Sequence, residues 1–190
     1  MRAPRVELAA TATAALLVAQ QVGSNAIRDG LLLSHFPVTA VPWFVGTAAI
    51  LAVPASHSSG RLLLRFGPGR VAPALVALGA ALFALEWVLF GLEPRAAAVV
   101  LYLHSSVLGA IAISSFWSLL NERLDPHASK ALMARVAAAA TLGGLVGGIG
   151  AERVAAVLSA RALLAALALV SLAAAVGVLS ARGSARAQAP

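Results

Sequence analysis

The chain has 190 residues, 61% of them hydrophobic and only 11% charged, with a mean hydropathy of +0.92. Soluble domains carry about a quarter charged residues, so this composition excludes a soluble globular protein and points to an integral membrane protein. The lack of cysteine excludes disulfides and thiolate chemistry, and the net charge of +7 raises the question of a nucleic-acid partner, which topology answers below.

A crossing of the bilayer needs roughly 20 apolar residues in a helix. The apolar runs here are continuous rather than alternating, which predicts helices and excludes a barrel. The expected fold is all-α and integral to the membrane, with six transmembrane helices over 1–181 and a small polar cytoplasmic tail over 182–190, expected to be disordered.

The first span is predicted over 6–25 and leaves the apolar run with "QQVGSNAIRDGLLLSHFP". Gln21, Asn25, Arg28 and Asp29 recur at i, i+4, i+7 and i+8. They form one polar stripe if the helix continues past Asn25. Charges within a span cost a few kcal/mol and usually face a cavity or a partner. The competing reading puts Arg28 and Asp29 at the membrane surface, with Arg28 snorkelling to headgroups. Gln20, Gln21 and Asn25 precede the pair inside the span, where snorkelling cannot help them. A signal peptide would also have arginines before an apolar run, as at Arg2 and Arg5. This run is too long for that, and five more spans follow it.

The second span is predicted over 38–56, with Pro42 and Pro54 as expected kinks. Thr39, Trp43 and Thr47 share a face expected to pack. The following loop, "SGRLLLRFGPGR", carries Gly60, Gly67 and Gly69 for a tight reversal, and Arg61, Arg65 and Arg70 at the membrane surface. The third span is predicted over 71–91. Its Glu86 lies in the outer third beside Trp87. It is either a protonatable coupling group or an interfacial residue next to an aromatic-belt tryptophan, and the interfacial position is the expected one.

The fourth span is predicted over 96–120. Ser114, Ser118, Asn121 and Glu122 share one face, with His104, Ser105 and Ser106 two to three turns earlier. That face either lines a cavity or only bonds the backbone of the preceding turn. The fifth span is predicted over 131–150, with a continuation through 155, opened by Asp125 as N-cap and Pro126 as first helical residue. Thr141, Gly144 and Gly148, with Gly143 and Gly147 alongside, make a small-residue stripe that lets another helix approach closely. Packing inside one six-helix unit is the expected use. The sixth span is predicted over 162–181.

Six spans put the N-terminus, the second-to-third loop, the fourth-to-fifth loop and the C-terminus on one side. Ten of the fourteen lysines and arginines lie there. The positive-inside rule then makes both termini cytoplasmic, in an inner (plasma) membrane. This distribution accounts for the net charge without a nucleic-acid partner.

Gly60, Arg61, Leu62, Arg65, Phe66, Gly67 and Arg70 resemble the loop signature of the major facilitator superfamily, between its second and third helices. Leu64 occupies the position of that family's acidic residue. The pieces "IRDGLLLSHFP" with Pro42 after it, "FWSLLNERLDPHASK" and "TLGGLVGGIG" resemble the ATP/ADP translocase branch, over about two-thirds of the chain. The resemblance implies six of twelve helices. The chain is then a fragment or one half that pairs with a second half. It also implies transport of an organic anion, in its specific form nucleotide exchange, and it places a basic-acidic pair near the end of the first helix. Gln21, Asn25, Arg28, Asp29, Ser114 and Ser118 are the candidate substrate-binding residues. Arg28 suits a phosphate as a planar, permanently charged donor.

Two other classes compete. An intramembrane protease needs a serine nucleophile with a histidine base, or a zinc cluster such as H-E-x-x-H. His35, His57, His104 and His127 are scattered, and none has that spacing. No enzyme, metal or cofactor is expected. A degenerate six-helix anchor or sensor module without transport is the alternative, and the sparse polar content suits it.

Overall fold

A computed structural model describes residues 3–123, 130–157 and 159–183. Six long helices follow in order: α1 (Ala3–His35), α2 (Val41–Phe66), α3 (Pro68–Leu92), α4 (Pro94–Arg123), α5 (Lys130–Val157) and α6 (Ala160–Gly183). A single 3-10 turn, Val38–Ala40, leads into α2.

Proline and glycine set most of the boundaries. α1 stops just before Pro37, because a residue preceding proline is pushed out of the helical region. Nothing earlier breaks it, so it runs ten residues past Asn25. Pro42 lies in the first turn of α2, where a missing N–H costs nothing, while Pro54 lies in the helix interior. Only one of the three loop glycines turns the chain. Gly67 adopts φ 75° and ψ 153°, donates its N–H to the Leu63 carbonyl at 2.9 Å, and hands over directly to Pro68. A side chain is disfavoured at that φ, so glycine is required there. Gly60 and Gly69 are helical. The expected loop is therefore two helix ends joined by one residue, with Arg61 and Arg65 on α2 and Arg70 on α3. Glu93 separates α3 from α4 in the same way, ahead of Pro94. Ser159 caps α6 by accepting the Ala162 N–H at 3.1 Å.

Asp125 and Pro126, the expected start of the fifth helix, lie outside the described residues, as do 184–190 of the tail. Arg182 and Gly183 continue α6.

Five helices are long and apolar enough to cross a membrane: Val38–Phe66, Pro68–Leu92, Pro94–Glu122, Lys130–Ala155 and Ala160–Ser180. α1 has the length, since its 33 residues span about 50 Å at 1.5 Å per residue. Gln20, Gln21, Asn25, Arg28 and Asp29 interrupt its apolar run. The most polar helix is not at the edge: α1 packs against α4, α5 and α6. α3 packs against α4 and α6, and α2 lies at the edge, against α4 and more lightly α3.

The core follows this arrangement. One cluster joins Ala10, Ala14 and Leu17 of α1 to Val76, Phe116, Val136 and Val178. A second joins Ile27 and Leu31 to Phe83, Leu101, Leu164 and Leu167. A smaller cluster of Leu32, Ala48 and Tyr102 attaches α2. Small residues on α1 are met by glycines on α5. A Cβ built on Gly143 would fall 2.7 Å from the Ala15 Cα, and one on Gly147 would fall 2.6 Å from the Ala19 Cα. Gly144 and Gly148 sit beside this contact and meet only the side chains of Val18 and Val22. The stripe thus packs inside the six-helix unit, with Gly143 and Gly147 at the closest approach. Thr39, Trp43 and Thr47 behave otherwise. All three are exposed, Trp43 at 80%, so the expected packing of that face is not made within this unit.

A polar seam between α1 and α4

The unbroken α1 carries Gln21, Asn25 and Arg28 on the side that meets α4, with Asp29 at the edge. Gln21 donates from Nε2 to the Asn25 Oδ1 at 3.3 Å and, more weakly, to the Ser105 carbonyl at 3.5 Å. Its carboxamide lies over Gly109, where any Cβ would collide with it. Gly109 thus leaves room for the Gln21 carboxamide, the far end of a flexible side chain. The Gln21 Oε1 is buried without a partner among the described residues.

Arg28 closes the seam two turns further on. Nε and Nη2 donate to the two carboxylate oxygens of Asp29 at 2.8 and 3.2 Å, and Nη1 donates to the Ser106 hydroxyl at 3.0 Å. The guanidinium carbon lies 4.9 Å from the centre of the Tyr102 ring, a cation–π distance. These bonds occupy three of the five guanidinium donors. The Arg28 side chain is 19% exposed and that of Asp29 is 56% exposed. Arg28 is thus held by a neighbour on its own helix and by two residues of α4. It does not snorkel away from the bundle.

The other candidates from the sequence lie elsewhere on α4. Ser114 is eight residues beyond Ser106, about 12 Å along the helix. Ser114 and Ser118 are exposed with Asn121 and Glu122, and the Ser118 hydroxyl donates to the Ser114 carbonyl at 2.9 Å. The structure brings Arg28 to Ser106 and Tyr102 and does not bring it to Ser114 or Ser118. The second-to-third loop residues Gly60, Arg61, Arg65, Gly67 and Arg70 lie at the α2–α3 corner, where Arg65 stacks 5.1 Å over Phe66.

Glu86 departs most from expectation. It lies near the end of α3, as its position suggested, but it is 0% exposed. The interfacial reading is therefore wrong. A carboxylate facing headgroups would be open to solvent, whereas α4 and α6 cover this one. His104 Nδ1 lies 2.8 Å from Glu86 Oε1, and the Phe83 ring packs against the imidazole at 4.7 Å between centroids. Sequence reasoning named both residues and did not pair them. A usable signal existed: Glu86 is the one charged residue between Arg70 and Glu93, and His104 the one histidine of the adjoining helix, across a one-residue turn. Next along α3, Trp87 stacks on Arg161 of α6 at 4.6 Å.

No family model, no curated protein and no solved structure matches this chain.

Proposed function

We propose that the chain is one six-helix half of a major-facilitator-type transporter, carrying an organic anion by alternating access against a second half. The observation that carries this reading is Arg28. A permanently charged, planar donor sits in a helix seam of an apolar bundle, partly exposed, beside a carboxylate that is more than half exposed. An arginine fork suits carboxylate and phosphate oxygens. Asp29 holds the anion's place in the unliganded state. An incoming anion would displace it and keep the Ser106 bond. The narrower version, exchange of nucleotides, rests on the sequence pieces that resemble ATP/ADP translocases. The basic asymmetry supports cytoplasmic termini.

A second reading has an observation of its own. Asp29 already neutralises Arg28 in bidentate fashion, as a purely structural pair would, and this favours an anchor or sensor module without transport.

Uptake separates the two. The chain is reconstituted into vesicles loaded with ADP, and entry of labelled ADP is followed. Transport predicts exchange above empty vesicles. It also predicts loss in Arg28→Ala and partial retention in Arg28→Lys, which keeps the charge and loses the fork. Uptake equal to empty vesicles, with folded and self-paired protein present, supports the anchor.

A further inference from the structure

We infer that Glu86 and His104 form a buried proton-binding site, served by a water-sized cavity against the imidazole. Three observations meet there. First, the pair is sealed. Glu86 is fully buried and His104 nearly so, and among the described residues neither has another ion-pair partner. Second, the site is unsatisfied. Glu86 Oε2 and the Ser171 hydroxyl of α6 are both buried without a hydrogen-bond partner among the described residues. Third, a cavity of about 20 Å³ lies between α1, α3, α4 and α6, lined by Gln20, Gly79, Phe83, His104 and Ser171 among others. That is room for one water and nothing larger.

The groups facing the pair decide its chemistry. α1 contributes the neutral Gln20 to the cavity, and α6 contributes the neutral Ser171. The charged groups nearest in sequence, Glu93 and Arg95, lie at the α3–α4 junction, and those of the helices packed alongside are engaged elsewhere: Arg161 of α6 stacks on Trp87, and Arg28 of α1 is bound by Asp29 and Ser106. α2 brings its neutral Ser58 to a groove that His104 also borders. Among the described residues no fixed cation therefore balances Glu86, and an unprotonated pair would carry one uncompensated negative charge in a low-dielectric interior. One proton makes the pair neutral. A cavity water would deliver it to His104 Nε2, which lies toward Gly79 on the cavity wall. The Nδ1 proton passes to Glu86 Oε1 along the 2.8 Å bond, so the pair gains one proton and the ring returns to its neutral form. The small cavity and apolar surroundings favour a bare proton over a metal cation, which would need several oxygen ligands. Groups of this kind within spans serve proton relays in pumps and transporters. The site stands independently of the anion reading, since it involves neither Arg28 nor Asp29.

The test is infrared difference spectroscopy between acid and neutral pH, on the full chain in lipid vesicles with no substrate. One of the seven side-chain carboxyl groups should show a protonated C=O band in a dry environment. That band should vanish in Glu86→Gln. In His104→Gln it should persist at a changed frequency, with its midpoint moved by one pH unit or more, a tenfold change in proton affinity. Replacing sodium and potassium by choline should leave it unchanged. A band retained in Glu86→Gln would overturn the assignment, and a band that follows sodium or potassium would replace the proton site with a cation site. Should Glu86→Gln fail to insert, His104→Gln decides alone: an unchanged band means that the carboxyl does not belong to this pair.

Discussion

Replacing Gly143 by alanine measures how tightly α1 and α5 are joined. In an exposed helical position, Gly→Ala stabilises by up to about 1 kcal/mol through propensity. Gly150 is half-buried, yet nothing lies within 4 Å of an added Cβ, so the same gain applies there. Gly143 is the opposite case, because its Cβ would sit 2.7 Å from the Ala15 Cα. Carbon contacts relax at about 3.5–4.0 Å, so the two helices must part by roughly 1 Å. The obstacle is backbone, which cannot rotate away. Such overpacking costs about 1–3 kcal/mol. Gly143→Ala should therefore be less stable than Gly150→Ala by about 1–3 kcal/mol. Gly144→Ala should fall near Gly150→Ala, since the Val18 Cγ1 at 3.3 Å can yield. The assay is denaturant unfolding of the three variants in one detergent. Equal stability of Gly143→Ala and Gly150→Ala would refute the close α1–α5 contact.

Further consequences follow from other positions. Gly67→Ala should destabilise by about 1–3 kcal/mol, because φ 75° with ψ 153° is open to glycine alone, and unfolding in the same detergent reads it directly. If Arg28 binds the anion, Ser106→Ala should weaken ADP uptake and Ser118→Ala should leave it near wild type. Equal effects of the two would shift the site toward the outer face of α4. Reporter fusions at Pro190 and near Pro94 should report opposite compartments, with Pro190 cytoplasmic. A fusion at Pro190 that reports the far side would contradict the assigned orientation.

Much of the fold was legible because membranes simplify the reading. Apolar runs marked the six helices, and Pro37, Pro68 and Pro94 marked where three of them stop or start. The lengths were less legible. α2 extends ten residues past the expected 56, since "SGRLLLRF" is amphipathic enough to stay helical beyond the apolar run. The polar stripe was visible as a period along α1, because the helical repeat alone places Gln21, Asn25 and Arg28 together. Its partner was not visible. Choosing Ser105 and Ser106 over Ser114 and Ser118 depends on how far α1 slides along α4, which no local pattern encodes. Gly109 gives the Gln21 carboxamide room at that register, and a lone glycine in a span does not announce what it leaves room for. Glu86 failed for a related reason. Its depth was readable, but whether α4 and α6 cover it is a matter of tertiary packing.

The absence of cysteine permits a direct test of the central claim that the Arg28 seam is a water-accessible anion site. Asp29→Cys gives a single thiol on an unchanged background. The measurement is its rate of reaction with a charged, membrane-impermeant thiosulfonate, in vesicles, with and without saturating ADP. A water-accessible anion site predicts labelling from water and a marked slowing by ADP. No labelling, or the same rate with ADP as without it, would contradict it.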